Sequence, residues 1–138
     1  MRYPALGLAI CTCLSLVTSA AHGQEAHIRP QVPIIIPGSS NYDSDACFGV
    51  GVVKGLDPHG DGFLAVKGGP GLSYLRIDKL YNGEQVYLCT ESGDWYGVVY
   101  SKARQDCNVM TPWPKSLPYT GPCRSGWVHS HWIEGVAG

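Results

Sequence analysis

The stretch FLAVKGGPGLSYLRIDKLYNGEQVYLC, Phe63 to Cys89, decides the fold. Phe63 to Lys67 alternates, with Leu64 and Val66 on one face, until Gly68-Gly69-Pro70-Gly71 breaks the run. Glycine tolerates positive φ there, and proline excludes a continuing helix. Leu72 to Asp78 forms a short turn leading into a strand around Ile77 to Leu80. Asn82-Gly83 then sits between two apolar-alternating runs, a strong hairpin signal because both residues accept the left-handed backbone. Gln85 to Cys89 follows as a strand with Val86 and Leu88 pointing inward. Strand, turn, strand, turn and strand in succession predict an all-β protein.

Upstream, Val50, Val52 and Val53 mark a first strand within Phe48 to Gly55, and Asp57 to Gly62 reads as a loop. Downstream, DWYGVVY (Asp94 to Tyr100) and GWVHSHWIE (Gly126 to Glu134) supply further strands. Together these elements resemble the bacterial SH3-like domain, with its hydrophobic-x-V-basic-x-G-P-G turn, G-x-x-V strand, W-x-x-V strand and closing G-W-V. The match covers most of Cys47 to Val136. It implies a small, strongly bent five-stranded barrel in an envelope or secreted protein that binds cell-wall peptides or other polymers. Two departures bear on the ligand. Ala65 stands where the family usually carries Asn, and the segment Lys102 to Ser125 replaces a short turn before the last strand. Loop shape usually sets specificity, so neither feature transfers a particular ligand.

The start of the chain reads as a signal peptide, residues 1–23. Met1-Arg2 is positive, Ala5 to Val17 is apolar, and Thr18 to Gly23 offers small residues for cleavage, placed after Gly23. An uncleaved anchor is the alternative, since Tyr3 to Ala21 approaches spanning length. Lipidation at Cys11 or Cys13 is disfavoured by Ile10 and by the short apolar run ahead of it. Residues 24–46 carry Pro30, Pro33, Pro37 and a Ser-Ser-Asn run, the composition of a linker or arm, with Ile34-Ile35-Ile36 able to dock as one strand. Residues 47–138 form the barrel domain, so the mature protein is expected in the periplasm or outside the cell, with no span left in the membrane.

Cleavage leaves Cys47, Cys89, Cys107 and Cys123, an even set that implies two disulfides among three connectivities. No two of them have zinc-type spacing. By period two, Cys89 faces outward with Tyr87, towards whatever precedes the first strand, which makes Cys47 its partner. Cys107 and Cys123 then close the long insertion, a loop whose restriction contributes roughly 3 kcal/mol.

With 138 residues, a net charge of -1 and 15% charged residues, the chain lacks the basic surplus used for nucleic acid and the charge density of a disordered tail. It also lacks a G-x-S-x-G elbow, an H-E-x-x-H helix and a phosphate-cradling loop, so the expectation is a non-catalytic protein without a cofactor. Asp57-Pro58-His59-Gly60-Asp61-Gly62 has calcium-loop spacing but no closing acid, and reads as a turn. On a strand, His129 and His131 would share one face, yet two imidazoles do not make a selective metal site; a solvated strand end followed by a one-turn 3₁₀ segment is the plainer reading.

Aromatic residues are the better functional signal. Four tryptophans and eight tyrosines exceed what so small a barrel can bury. Trp95 and Trp127 match family positions packed on the barrel. Tyr74, Tyr81, Trp113, Tyr119 and Trp132 are the candidates for ligand binding. Trp113 lies between Pro112 and Pro114, a stiff frame that either displays the ring or folds it back as a lid. The expected partner is a cell-wall peptide or glycan, or a protein segment; the alternative is a structural or inhibitory role on a single envelope protein.

Overall fold

The computed structural model describes residues 28–41 and 43–138, together with Pro4 and Gly7. The signal-peptide reading and the first residues of the arm lie outside this range. The described residues are all-β, apart from one 3₁₀ turn. Its strands are β1 (Ile35–Ile36), β2 (Gly49–Val53), β3 (Leu64–Lys67), β4 (Arg76–Leu80), β5 (Gln85–Ser92), β6 (Trp95–Tyr100), β7 (Leu117–Pro118), β8 (Arg124–His129) and β9 (Ile133–Ala137). Seven form one antiparallel sheet in the order β4-β3-β8-β6-β5-β2-β9, and β1 pairs with β7 in a second, two-stranded sheet.

The large sheet has two free edges, β4 and β9, and does not close. This differs from the expected five-stranded barrel. Among the described residues β4 pairs with β3 alone and β9 with β2 alone, so no ladder joins the two ends; β9 reaches β2 after the 3₁₀ turn Ser130–Trp132. Gly51 makes that approach possible, since a Cβ there would sit 2.5 Å from Ile133.

Alternation along the strands creates two cores on opposite faces of the sheet. Val53, Leu64, Val66, Leu80, Val86, Leu88, Val98, Tyr100 and Val128 fill the first. The other face carries Cys89, Val99 and Trp127, covered by Ile34 and Ile36 from the arm and by Cys107 and Val109 from the insertion. The register slips between Leu88 and Thr90, leaving Cys89 as the extra residue of a bulge. Cys89 thus joins the second core as period two predicts, and it bonds to Cys47, while Cys107 bonds to Cys123.

The arm docks as one extended segment through backbone bonds. Val32 N–H donates to the Gly68 carbonyl at 2.7 Å, Tyr119 N–H to Ile34 at 2.8 Å, and Ser39 N–H to Trp113 at 2.8 Å. Gly97 admits it. A Cβ at that position would lie 3.0 Å from Ile34 and 2.3 Å from Thr90.

The Asn82-Gly83 turn divides its labour. Gly83 takes the left-handed conformation, φ +90°, while Asn82 uses both ends of its amide on Leu56: Oδ1 accepts from the Leu56 N–H at 3.1 Å, and Nδ2 donates to the Leu56 carbonyl at 3.0 Å. The hairpin turn thereby fixes the loop that leads to the groove described next.

Candidate functional site

The arm covers only part of the second face. An open groove of 460 Å³ lies along β3 and the 3₁₀ turn, lined by residues from both cores. Its floor comes from β3, where period two turns Ala65 and Lys67 outward while Leu64 and Val66 enter the core. One wall comes from the cross-strand pair Trp95 and His129, whose rings meet edge to face at 5.4 Å, and from His131 and Trp132 in the 3₁₀ turn. Leu56, Gly62, Phe63, Leu64 and Leu72, with the acidic residues Asp57 and Asp61, complete the lining.

The 3₁₀ turn sets the ring positions. His131 N–H donates to Nδ1 of His129 at 3.2 Å, so the neutral His129 ring carries its proton on Nε2. His131 in turn lies edge-on to Trp132, with ring centres 4.7 Å apart. Among the described residues, no group of three or more His, Cys, Asp or Glu side chains converges on one point.

Charge is unevenly distributed around the groove. Asp57 and Asp61 belong to the loop ahead of β3. Lys67 ends β3, and Lys79 and Arg76 stand beside it on β4, paired with Ala65 and Lys67. Both β4 cations lie against Phe63, Lys79 Nζ at 4.4 Å and Arg76 Cζ at 5.1 Å from the ring centre. Among the described residues, the ion pairs are Lys54 with Glu134, Lys102 with Glu84 and Arg124 with Asp78, so none of these groove charges is neutralised by one.

Of the five aromatic candidates, only Trp132 lines this groove. Tyr74 packs on Gly69 beneath the Arg29 guanidinium, 4.7 Å from its ring centre. Tyr81 is exposed at the β4–β5 turn, with Lys102 Nζ 5.6 Å above its ring. Trp113 and Tyr119 stack on each other at 6.3 Å inside the insertion, against the second core. The indole N–H of Trp113 donates to the Asn108 carbonyl at 2.8 Å. The Tyr119 hydroxyl donates to the Cys107 carbonyl at 2.8 Å and accepts from the Cys123 N–H at 3.2 Å. Burial pushes the Tyr119 hydroxyl above its ordinary range, against the lowering effect of the Cys123 bond. Between display and folding back, Trp113 takes the second: it is half-buried and holds the insertion together.

Phe63, Leu72, Trp95, His129 and Lys67 were not among the sequence candidates. The outward phase of β3 was available as a signal for Lys67, but the meeting of β3 with Trp95 and His129 depends on strand order. No family model matches the chain, and no curated protein or solved structure matches it.

Proposed function

We propose that the protein is an exported, non-catalytic binding module of SH3-like type that recognises a segment of cell-wall peptide or glycan, or of a protein, in the groove. The observation that carries this reading is the open groove, where Phe63, Leu72, Trp95 and Trp132 form an apolar channel opening to solvent. Leu72 is 82% exposed there. Rigid aromatic side chains bind with little loss of entropy. Export is supported by the leader pattern and by two disulfides, which suit an oxidising compartment. Among the described residues no helix is long and apolar enough to cross a membrane.

A second reading, docking on one envelope protein through the insertion, is favoured by exposed Ile35, Met110 and Leu117 on the small sheet and its loop. Cosedimentation separates the two. Wild-type protein is expected to pellet with purified peptidoglycan, and Leu72→Asp to remain in the supernatant. Retention by an envelope protein fraction, unaffected by Leu72→Asp and abolished by Leu117→Asp, would replace the first reading with the second.

A further inference from the structure

The β4–β5 turn combines chemical reactivity with a structural duty. Asn82 is the one asparagine followed by glycine; Asn41 precedes Tyr42 and Asn108 precedes Val109. A glycine has no Cβ to shield its backbone nitrogen, so that nitrogen can reach the preceding side-chain amide. Among the described residues, the hydrogen bonds that tie residues 55–62 to the rest of the protein are the two between Asn82 and Leu56, at 3.1 and 3.0 Å. The other bonds of that loop, from the His59 and Gly60 N–H groups to Asp57, are internal to it. We infer that Asn82 is a modification site: spontaneous loss of its side-chain ammonia, paced by opening of the turn, irreversibly unfastens this loop.

The chemistry needs only water. The Gly83 nitrogen gives up its proton and attacks Cγ of Asn82; the new N–Cγ bond closes a succinimide ring as the side-chain nitrogen leaves with that proton as ammonia. Water then opens the ring at either carbonyl, leaving aspartate or isoaspartate. The closed structure opposes the first step. Gly83 N–H donates to the Val53 carbonyl at 2.8 Å, and the Asn82 amide is held by Leu56 at both its oxygen and its nitrogen. Three bonds of ordinary strength, broken together, slow the attack by about a hundredfold. After the reaction the contact cannot be remade. An aspartate there still accepts from the Leu56 N–H, but it has no proton for the Leu56 carbonyl, so two acceptors face each other in a part-buried contact. Isoaspartate also adds a methylene to the main chain and displaces the carboxylate. The loop then turns about Gly55 and Gly62, which stand at its ends with φ +79° and +69°, and the packing of Leu56 in the first core is left to hold it. Leu56, Asp57 and Asp61 line the groove, so unfastening changes the lining.

The test ages the full mature protein in mildly alkaline buffer, folded and in urea, and follows conversion by peptide mass spectrometry. In urea, Asn82 is expected to convert ahead of Asn41 and Asn108, and in the folded protein to convert about a hundredfold more slowly than in urea. The acidic form that accumulates is separated by ion exchange. Hydrogen exchange across residues 55–62 of that form is expected to run about tenfold faster than in unaged protein, the scale of one lost hydrogen bond. The form arises from molecules already folded, so its loop does not report a failure to fold. Asn82→Asp should show the same faster exchange without ageing, and a thermal melt checks that the variant folds. Equal conversion rates in folded and unfolded protein overturn the inference. So does an acidic form whose loop exchanges at the wild-type rate, and so does folded protein that keeps Asn82 intact however long it is aged. None of these readouts depends on what the groove binds.

Discussion

The indole N–H of Trp127 donates to the carbonyl of Val32 at 2.9 Å across 95 residues of sequence. This bond fixes the arm to β8 where the arm crosses the outer face of the sheet. Trp127 is 4% exposed and belongs to the second core, not the first. The family resemblance placed it among the residues packed on the barrel, and burial bears that out, but its neighbours are Ile34, Ile36 and the insertion. The arm is therefore a structural layer, held by a tryptophan that a sequence pattern would assign to the sheet alone.

Trp127→Ala is expected to cost roughly 3 to 5 kcal/mol, as for other large buried aromatics, and to free the arm for proteolysis. Trp127→Phe keeps most of the volume and loses the bond to Val32, for about 1 to 2 kcal/mol. A thermal melt combined with limited proteolysis checks both. Arm cleavage should appear in Trp127→Ala at protease levels that leave the wild type intact.

Trp113→Ala is expected to destabilise the protein by about 1 to 3 kcal/mol, since it deletes a half-buried ring, its stacking on Tyr119 and its bond to Asn108. Asn108 holds φ +59°, a left-handed conformation that asparagine tolerates and that the Trp113 bond helps keep. Denaturant unfolding of the variant measures the loss. An unchanged midpoint would show that the ring contributes nothing to the fold.

The two disulfides should prove closer in effect than an isolated insertion loop would suggest. Their sequence separations of 42 and 16 correspond to roughly 4 and roughly 3 kcal/mol in the chain-entropy model. Cys107 is buried under Val109 and the arm, so Cys107→Ser with Cys123→Ser also disturbs the second core. Melting temperatures of the two double variants check this. A negligible effect of the Cys107–Cys123 pair would mean that the insertion is independent of the core.

What the sequence makes legible is local. The alternation of Leu64 and Val66, the break at Gly68 to Gly71 and the Asn82-Gly83 turn each depend on neighbouring residues, and each corresponds to a strand or turn in the structure. Cys89 facing outward follows from the same period of two. The sheet order and the covering of one face by the arm are long-range matters, set by Gly97 admitting Ile34 and by β7 pairing with β1. For the same reason the groove was not visible. Trp132 looked exposed and proved to line it, but its companions Trp95 and His129 come together only through the pairing of β6 with β8. The prolines around Trp113 leave display and folding back both open, because the contacts its indole N–H and ring make within the insertion are not written in the neighbouring residues.

The stability of the protein should depend on pH at both extremes through one hydrogen-bonded group. Tyr100 donates its hydroxyl proton to Asp78 at 2.7 Å, and Arg124 donates to the same carboxylate oxygen at 2.9 Å. Burial by itself raises the Asp78 carboxyl, but the bonds from Tyr100, from the Lys79 N–H and from Arg124 outweigh it and hold the group below its ordinary value of 3.8. A carboxylate depressed in the folded state adds stability above its unfolded value, and that stability disappears as pH falls through the folded one. Tyr100 is shifted the other way, chiefly by burial and then by its bond to Asp78, so its neutral form is favoured well above 10.0. Its contribution is whole below that pH and is lost as pH rises further. Melts of Asp78→Asn should therefore show a shallower loss of stability below about pH 4, and melts of Tyr100→Phe a shallower loss above about pH 10, relative to wild type. Parallel curves for wild type and either variant across its own range would show that the bond does not couple folding to protonation.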